Sequence, residues 1–275
     1  MKKIYSLLFA ALAVVAIALV FTSCEKDDYD PLKPESKCQI TFTTAKPVGS
    51  SLYLIIKKDN RPTEVIGAKA EYGQNPFDGG PGDGAEVVIL VLEKQNVTIK
   101  GDITHLTFYD PELTSLDVSQ NPLLEELDCS DGHLTKLDIS KNTALTSFAC
   151  ANNQLTSLDV SKNMALRHFG FAENKITSID ISKNTELRTF RCDYNKLTSL
   201  DISKNTKLES LDCRHNKIKA EEMSKIINAL PDWSAKKDEM QARLSILTND
   251  TTEENEVTEA DLKIAEDKNW RILNY

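Results

Sequence analysis

The chain has 275 residues, enough for one to three structural units, and its 40% apolar and 27% charged residues are ordinary for a folded protein. It carries 42 acidic against 33 basic side chains, a formal charge of −9. That balance argues against nucleic acid, whose binders present a basic surface to phosphate, and against free adsorption to anionic lipid heads.

The first element is a leader. Lys2 and Lys3 precede an apolar run from Leu7 to Phe21, which ends in Phe21-Thr22-Ser23-Cys24. Charge, a short apolar core and small residues in that order mark a cleavable signal, and the run is short of the roughly 20 residues that span a bilayer. A cysteine directly after the small residues resembles a bacterial lipobox. The resemblance implies removal of residues 1–23 and acylation of Cys24 as the mature N-terminus, anchoring the chain to a membrane. The mature balance is then 31 basic against 42 acidic side chains, or −11. Glu25, Lys26, Asp27 and Asp28 are similar to the surface-export tag of one Gram-negative group, with a plain acidic tether as the alternative. Residues 24–37 are polar and hold Pro31 and Pro34, as a spacer would.

Residues 38–102 are expected to form an N-terminal β domain. The segments from Cys38 to Thr44, Ser51 to Lys57 and Glu86 to Leu92 are β-rich and bounded by turn residues. The loop from Asn75 to Glu86 sets Asp78, Asp83 and Glu86 among glycines. Its spacing does not match a twelve-residue EF-hand, so a plain loop is favoured over a calcium site.

Residues 103–217 repeat. Leu113, Leu134, Leu155, Ile176, Leu197 and Ile218 stand 21 residues apart without a slip. A second half-unit starts at Leu124, Leu145, Leu166, Leu187 and Leu208, so halves of 11 and 10 residues alternate, and a divergent half begins at Ile103. The L-x-L alternation puts Leu116 and Val118 on one side of a short strand and Ser115 and Asp117 on the other. One unit cannot bury its apolar side alone, so copies must stack as rungs. Asn121, Asn142, Asn163, Asn184 and Asn205 follow the first halves. Asn153, Asn174, Asn195 and Asn216 follow the second, with Gly132 in the first place. Buried amides at such turns are expected to donate to and accept from neighbouring backbone. Two asparagine ladders predict two strand-turn elements per coil.

This pattern resembles the bacterial leucine-rich-repeat subclass with alternating ten- and eleven-residue halves, found in internalin-like surface lipoproteins. The resemblance implies a mainly β leucine-rich-repeat solenoid. Residues 218–275 are expected to close it as a small αβαβ cap. Met223, Ile226, Ile227 and Leu230 have helical spacing before Pro231. Ala242–Thr248 reads as a strand, Thr258-Glu-Ala-Asp261 as a capping-box helix start, and Trp270–Tyr275 as a last strand.

Chemistry is sparse. Cys129, Cys150, Cys192 and Cys213 form a line at the inward position, with Phe171 in the third place, and not the converging cluster that zinc needs. Rung spacing of about 4.8 Å exceeds disulfide Cβ distances, which favours buried free thiols over disulfides. Asp117, Asp138, Asp159, Asp180 and Asp201 form an outward ladder. Either it is held by flanking hydroxyls and lysines, or it invites a cation and titrates with raised pKa values. No G-x-S-x-G elbow, H-E-x-x-H pair or phosphate loop is present. No enzyme, cofactor or metal is therefore expected.

The two halves differ in variety. Outward positions of the first half hardly vary from Ser/Asp, with Lys136/Asp138 once, whereas the second reads Glu126/Asp128, Ser147/Ala149, His168/Gly170, Thr189/Arg191 and Ser210/Asp212. An irregular face offers relief that a partner can read. The candidate partner-binding residues are Glu126, Asp128, His168, Thr189, Arg191, Tyr194, Asp212, Arg214 and His215. The expected function is non-enzymatic recognition or adhesion by an outer-membrane, cell-surface lipoprotein, with a host or envelope protein as partner. A glycan-binding accessory lipoprotein in polysaccharide capture is the alternative. Sugars stack on exposed aromatic rings, and near this face only Tyr194, Tyr109 and Phe108 are available, with Phe108 expected in the core.

Overall fold

The computed structural model describes residues 37–57, 62–73, 85–236, 241–248 and 252–273. The leader, Cys24 and the spacer to residue 36 lie outside the described residues, as does the glycine-rich loop to residue 84.

Six strands precede the repeats: β1 (Gln39–Thr44), β2 (Ser51–Lys57), β3 (Glu64–Ile66), β4 (Ala68–Gly73), β5 (Ala85–Leu92) and β6 (Asn96–Lys100). Alternation along β1 and β2 turns Ile40, Phe42, Leu52, Leu54 and Ile56 inward. The first coil adds β7 (His105–Tyr109) and β8 (Leu113–Asp117). β1 pairs antiparallel with β8, and β2 pairs antiparallel with β7. The first coil therefore belongs to both sheets, one ordered β3-β6-β1-β8 and the other beginning β4-β5-β2-β7. Phe42 meets Phe108 edge-on between them at 5.2 Å. Pairing of this kind covers the rung that would otherwise expose core at the start of the array.

The larger sheet continues through β9 (Glu126–Asp128), β10 (Ser147–Ala149), β11 (His168–Gly170), β12 (Thr189–Arg191) and β13 (Ser210–Asp212), all parallel and paired 21 residues apart. Their central residues, Leu127, Phe148, Phe169, Phe190 and Leu211, are buried. The phenylalanines lie ring against ring along the axis, 5.7 Å and 5.5 Å apart. This is a leucine-rich-repeat solenoid.

It differs from expectation in its strands. Only the second half supplies a strand in every coil. Past β8 the first halves run extended, joined by one backbone bond per coil, such as Gln154 N–H to Leu134 C=O at 2.8 Å. The turn bonds are not what separates them from β8, which also has Ser119 N–H donating to Asp117 and Asn121 N–H to Val118 C=O; β8 is a strand because β1 pairs with it.

The asparagine ladders also divide. In the second, Asn174 Oδ1 accepts the Leu155 N–H while its Nδ2 donates to the carbonyls of Cys150, Phe171 and Ala172. In the first, Asn163 Nδ2 donates to the carbonyls of Ile139 and Asn142, but its Oδ1 accepts no hydrogen bond from the protein, and the same holds for Asn121, Asn142, Asn184 and Asn205. The expectation that both ladders donate and accept is thus corrected for the first. Where the second ladder begins, Gly132 leaves space that Asn153 uses: a Cβ there would lie 2.8 Å from Asn153 Oδ1. Before each position of the second ladder, Gly132 included, the backbone turns left-handed, with φ of 60°, 48°, 53°, 52° and 49° at Asp131, Asn152, Glu173, Tyr194 and His215.

Past the repeats, α1 (Ala220–Ala229), β14 (Ala242–Ser245), α2 (Glu259–Asp267) and β15 (Trp270–Ile272) follow. Helix α1 buries Met223, Ile226 and Ile227, and Thr258 with Asp261 forms the capping box of α2. β14 and β15 extend the parallel sheet beyond β13. Asn255 takes the place of the next ladder residue, accepting the Ile218 N–H and donating to Cys213 C=O. One apolar core runs from Ile40 to Trp270.

Candidate interaction face

Each three-residue strand turns its middle side chain inward, so its two flanking residues face out. The parallel register aligns them in two columns. One holds Glu126, Ser147, His168, Thr189, Ser210, Arg243 and Arg271, and the other Asp128, Ala149, Gly170, Arg191, Asp212 and Ser245. Glu126, His168 and Arg191 are exposed, whereas Asp128 and Thr189 are half-buried. Tyr194 follows in the turn, 44% exposed.

Three of the nine candidate residues are less available than their spacing implied. Asp212 is 8% exposed and grips Arg214 through both oxygens, Nε to Oδ1 at 2.9 Å and Nη2 to Oδ2 at 2.7 Å. His215 is 7% exposed. Its imidazole meets Thr248 at 3.1 Å, and its N–H donates to Glu253. The cap folds over this last coil, which no repeat spacing could show.

The cap also contributes what the repeat reading missed. Arg243 and Arg271 are exposed on β14 and β15, in register with the array. A depression of about 810 Å³ opens over β12–β14, lined among others by Arg191, Asp212, Arg214, Arg243, Ser245 and Leu273. The alternation of Ala242-Arg-Leu-Ser was the available signal, but its register against the solenoid was not.

Charge is sorted along the face. Glu126 and Asp128 occupy one end, with His105 at 3.5 Å from Glu126. Polar, small or imidazole-bearing residues fill the middle, and arginines occupy the far end. Arg188 pairs with Glu209 at 2.5 Å and Arg214 with Asp212. Among the described residues, the side chains of Arg191, Arg243 and Arg271 form no hydrogen bond or ion pair. Beneath them Asp193 is buried, and its Oδ1 accepts no hydrogen bond from the protein. Burial, then the nearby charge of Asp212, pushes its pKa up to about 6, with Arg191 and Arg214 pulling the other way.

The uniform side behaves differently. Asp138, Asp159, Asp180 and Asp201 each accept the backbone N–H of the serine two residues on, at 2.8–2.9 Å. That bond, the serine hydroxyl and the following lysine hold these carboxyls below the usual range. The raised values weighed as an alternative do not occur there. Cys129, Cys150, Cys192 and Cys213 are buried free thiols.

No protein-family model matches the chain, and no curated protein matches it. Solved structures are similar. The functional domain of InlJ from Listeria monocytogenes, which includes a cysteine ladder, is 26% identical over 58% of this chain and 42% of that one, with a TM-score of 0.43. InlF, an internalin of the same organism, is 18% identical over 55% of this chain, with a TM-score of 0.46. Internalin C2 of that organism is 14% identical over 63% of this chain and 81% of its own, with a TM-score of 0.48. The chain spans 42% of the InlJ and InlF structures.

Proposed function

We propose that the chain is a non-enzymatic recognition lipoprotein, anchored through Cys24 at the bacterial outer surface, that binds a protein partner on the β9–β15 sheet face. The observation that carries this reading is the contrast between the two halves of the coil. On one side Ser and Asp recur, and the aspartates are consumed in holding their own turns. On the other, Asp128 and Asp212 also accept the N–H two residues on, but the equivalent sites between them hold Ala149, Gly170 and Arg191, so chemically different residues share one position of the sheet. Surfaces that read a partner need such local differences, and their energy concentrates in a few arginine and aromatic anchors. A protein is favoured over a glycan because Phe108 is buried and one face of Tyr194 is covered by His215, which leaves Tyr109, 37% exposed on β7, and one side of Tyr194 as platforms for a sugar ring.

The test starts by screening the mature chain against host matrix proteins and a glycan array, then measuring the captured partner against two folded double variants. Arg191→Ala with Tyr194→Ala should weaken it about thirtyfold, roughly 2 kcal/mol. Ser157→Ala with Ser178→Ala, on the exposed uniform side, should leave affinity within about threefold. The opposite ranking sinks the choice of face, and capture by glycans alone sinks the choice of partner.

A further inference from the structure

Arg243 and Arg271 stand directly opposite one another on the neighbouring parallel strands β14 and β15, both exposed. Like charges in such cross-strand positions, at strand spacings of about 4.8 Å, disfavour folding. Arg191 lies two strands further along, roughly 10 Å across the sheet, and is equally unpaired among the described residues. The chain has an excess of acids, 42 against 33 bases, so neutralising partners were available to it. Among the described residues, those nearby are spoken for: Glu209 holds Arg188, Asp212 holds Arg214, and Asp193 is buried below the surface. The remaining acids of this face, Glu126 and Asp128, sit at its opposite end.

Resting on the reading of this face as a partner-binding surface, we infer that its β12–β15 end recognises an acidic peptide segment carrying closely spaced carboxylates. A guanidinium presents parallel N–H donors that match a carboxylate's two oxygens, and three unpaired ones border a single depression or adjoin it. Ser210 and Gln241 in its lining can bond a peptide backbone, and Leu273 offers an apolar wall to side-chain methylenes. The rest of the molecule argues against a long polyanion. One stretched along the face would run from the arginines onto Glu126 and Asp128, on a chain of charge −9. Among the described residues, no aromatic ring lines the depression to stack a sugar or a base. A short acidic segment meets the arginines without reaching the acids.

The experiment uses the full-length protein and a fluorescein-labelled octapeptide of alternating glutamate and aspartate, read by anisotropy against its glutamine/asparagine counterpart. The acidic peptide should bind, with affinity falling as salt rises, and the amide peptide should not. Arg191→Gln, Arg243→Gln and Arg271→Gln together should weaken binding at least about tenfold. Arg243→Lys with Arg271→Lys, which keeps charge and loses the fork, should weaken it less, by about threefold. Ser157→Ala with Ser178→Ala, on the exposed uniform side, should not weaken it. Equal binding of both peptides, full binding by the triple glutamine variant, or displacement by heparin at concentrations below those of unlabelled peptide would overturn the inference, the last in favour of a sulfated glycan. A protein partner lost on the Arg191/Tyr194 substitution, with no acidic-peptide binding, removes this inference and leaves the reading of the face standing. Acidic-peptide binding with a partner insensitive to that substitution does the reverse.

Discussion

The ring of Tyr194 lies flat on the imidazole of His215, centroids 4.0 Å apart and planes 16° apart. The two residues hold the same left-handed turn position in consecutive coils, so rung spacing brings their rings into contact. The stack fixes how Tyr194 meets solvent, and the cap fixes His215 through Thr248 and Glu253. His215→Ala should therefore cost about 1–2 kcal/mol in urea unfolding, from the lost ring contact and hydroxyl bond. An unchanged midpoint would mean that the cap does not hold the last coil through this ring.

The asparagine ladders should be unequal. Asn163→Ala removes two donated bonds and should cost about 1–3 kcal/mol. Asn174→Ala also strands the buried N–H of Leu155 and should cost about 1 kcal/mol more. Paired unfolding curves decide this, and equal losses would contradict the division of the ladders.

Asp193 predicts a pH dependence. Its pKa of about 6 stands above the ordinary 3.8. Between those values the folded chain keeps a proton that the unfolded chain has released. Stability from this group therefore falls as pH rises from about 4 to about 6 and stays lowered above. Asp193→Asn should raise stability at neutral pH by about 1–2 kcal/mol, and the gain should vanish near pH 4. A gain independent of pH would assign the effect to packing.

The four solenoid thiols should be silent. Burial pushes the pKa of Cys129, Cys150, Cys192 and Cys213 up, which keeps each in the unreactive thiol form. Iodoacetamide at mildly alkaline pH should leave them unlabelled in the folded protein and label all four in guanidinium, as read by mass. Labelling of the native chain would show that the core opens on that timescale.

Cys24→Ala should abolish acyl labelling and release the chain from membranes. An acylated Cys24 sulfur cannot enter a disulfide. Recovery of Cys24 tied to another thiol, with no lipid attached, would refute the anchor.

The solenoid was legible because every coil solves the same burial problem, so the inward residues and the asparagines recur at one period. What escaped the sequence lies where that period lapses. Asn255 continues the second ladder from 39 residues beyond Asn216, behind a helix and a strand, where no 21-residue count reaches it. Strands β3, β4 and β6 are short or mix lysine, glutamate and asparagine into their alternation, and they form because neighbours offer paired edges. On the candidate face, the residues from the repeats were readable as a column. The burial of Asp212 and His215 and the arrival of Arg243 and Arg271 follow from how the cap closes, a tertiary fact.

The uniform register gives the molecule an adjustable length. Gain or loss of one 21-residue coil would leave every ladder bond, turn and inward side chain with an equivalent partner, while the two ends stayed as they are. The acidic strand β9 and the basic strand β14 are five rungs apart, about 24 Å at about 4.8 Å per rung. Coil number thus acts as a ruler between two opposite charges, and recombination among near-identical repeats could reset it in single steps without redesigning any contact.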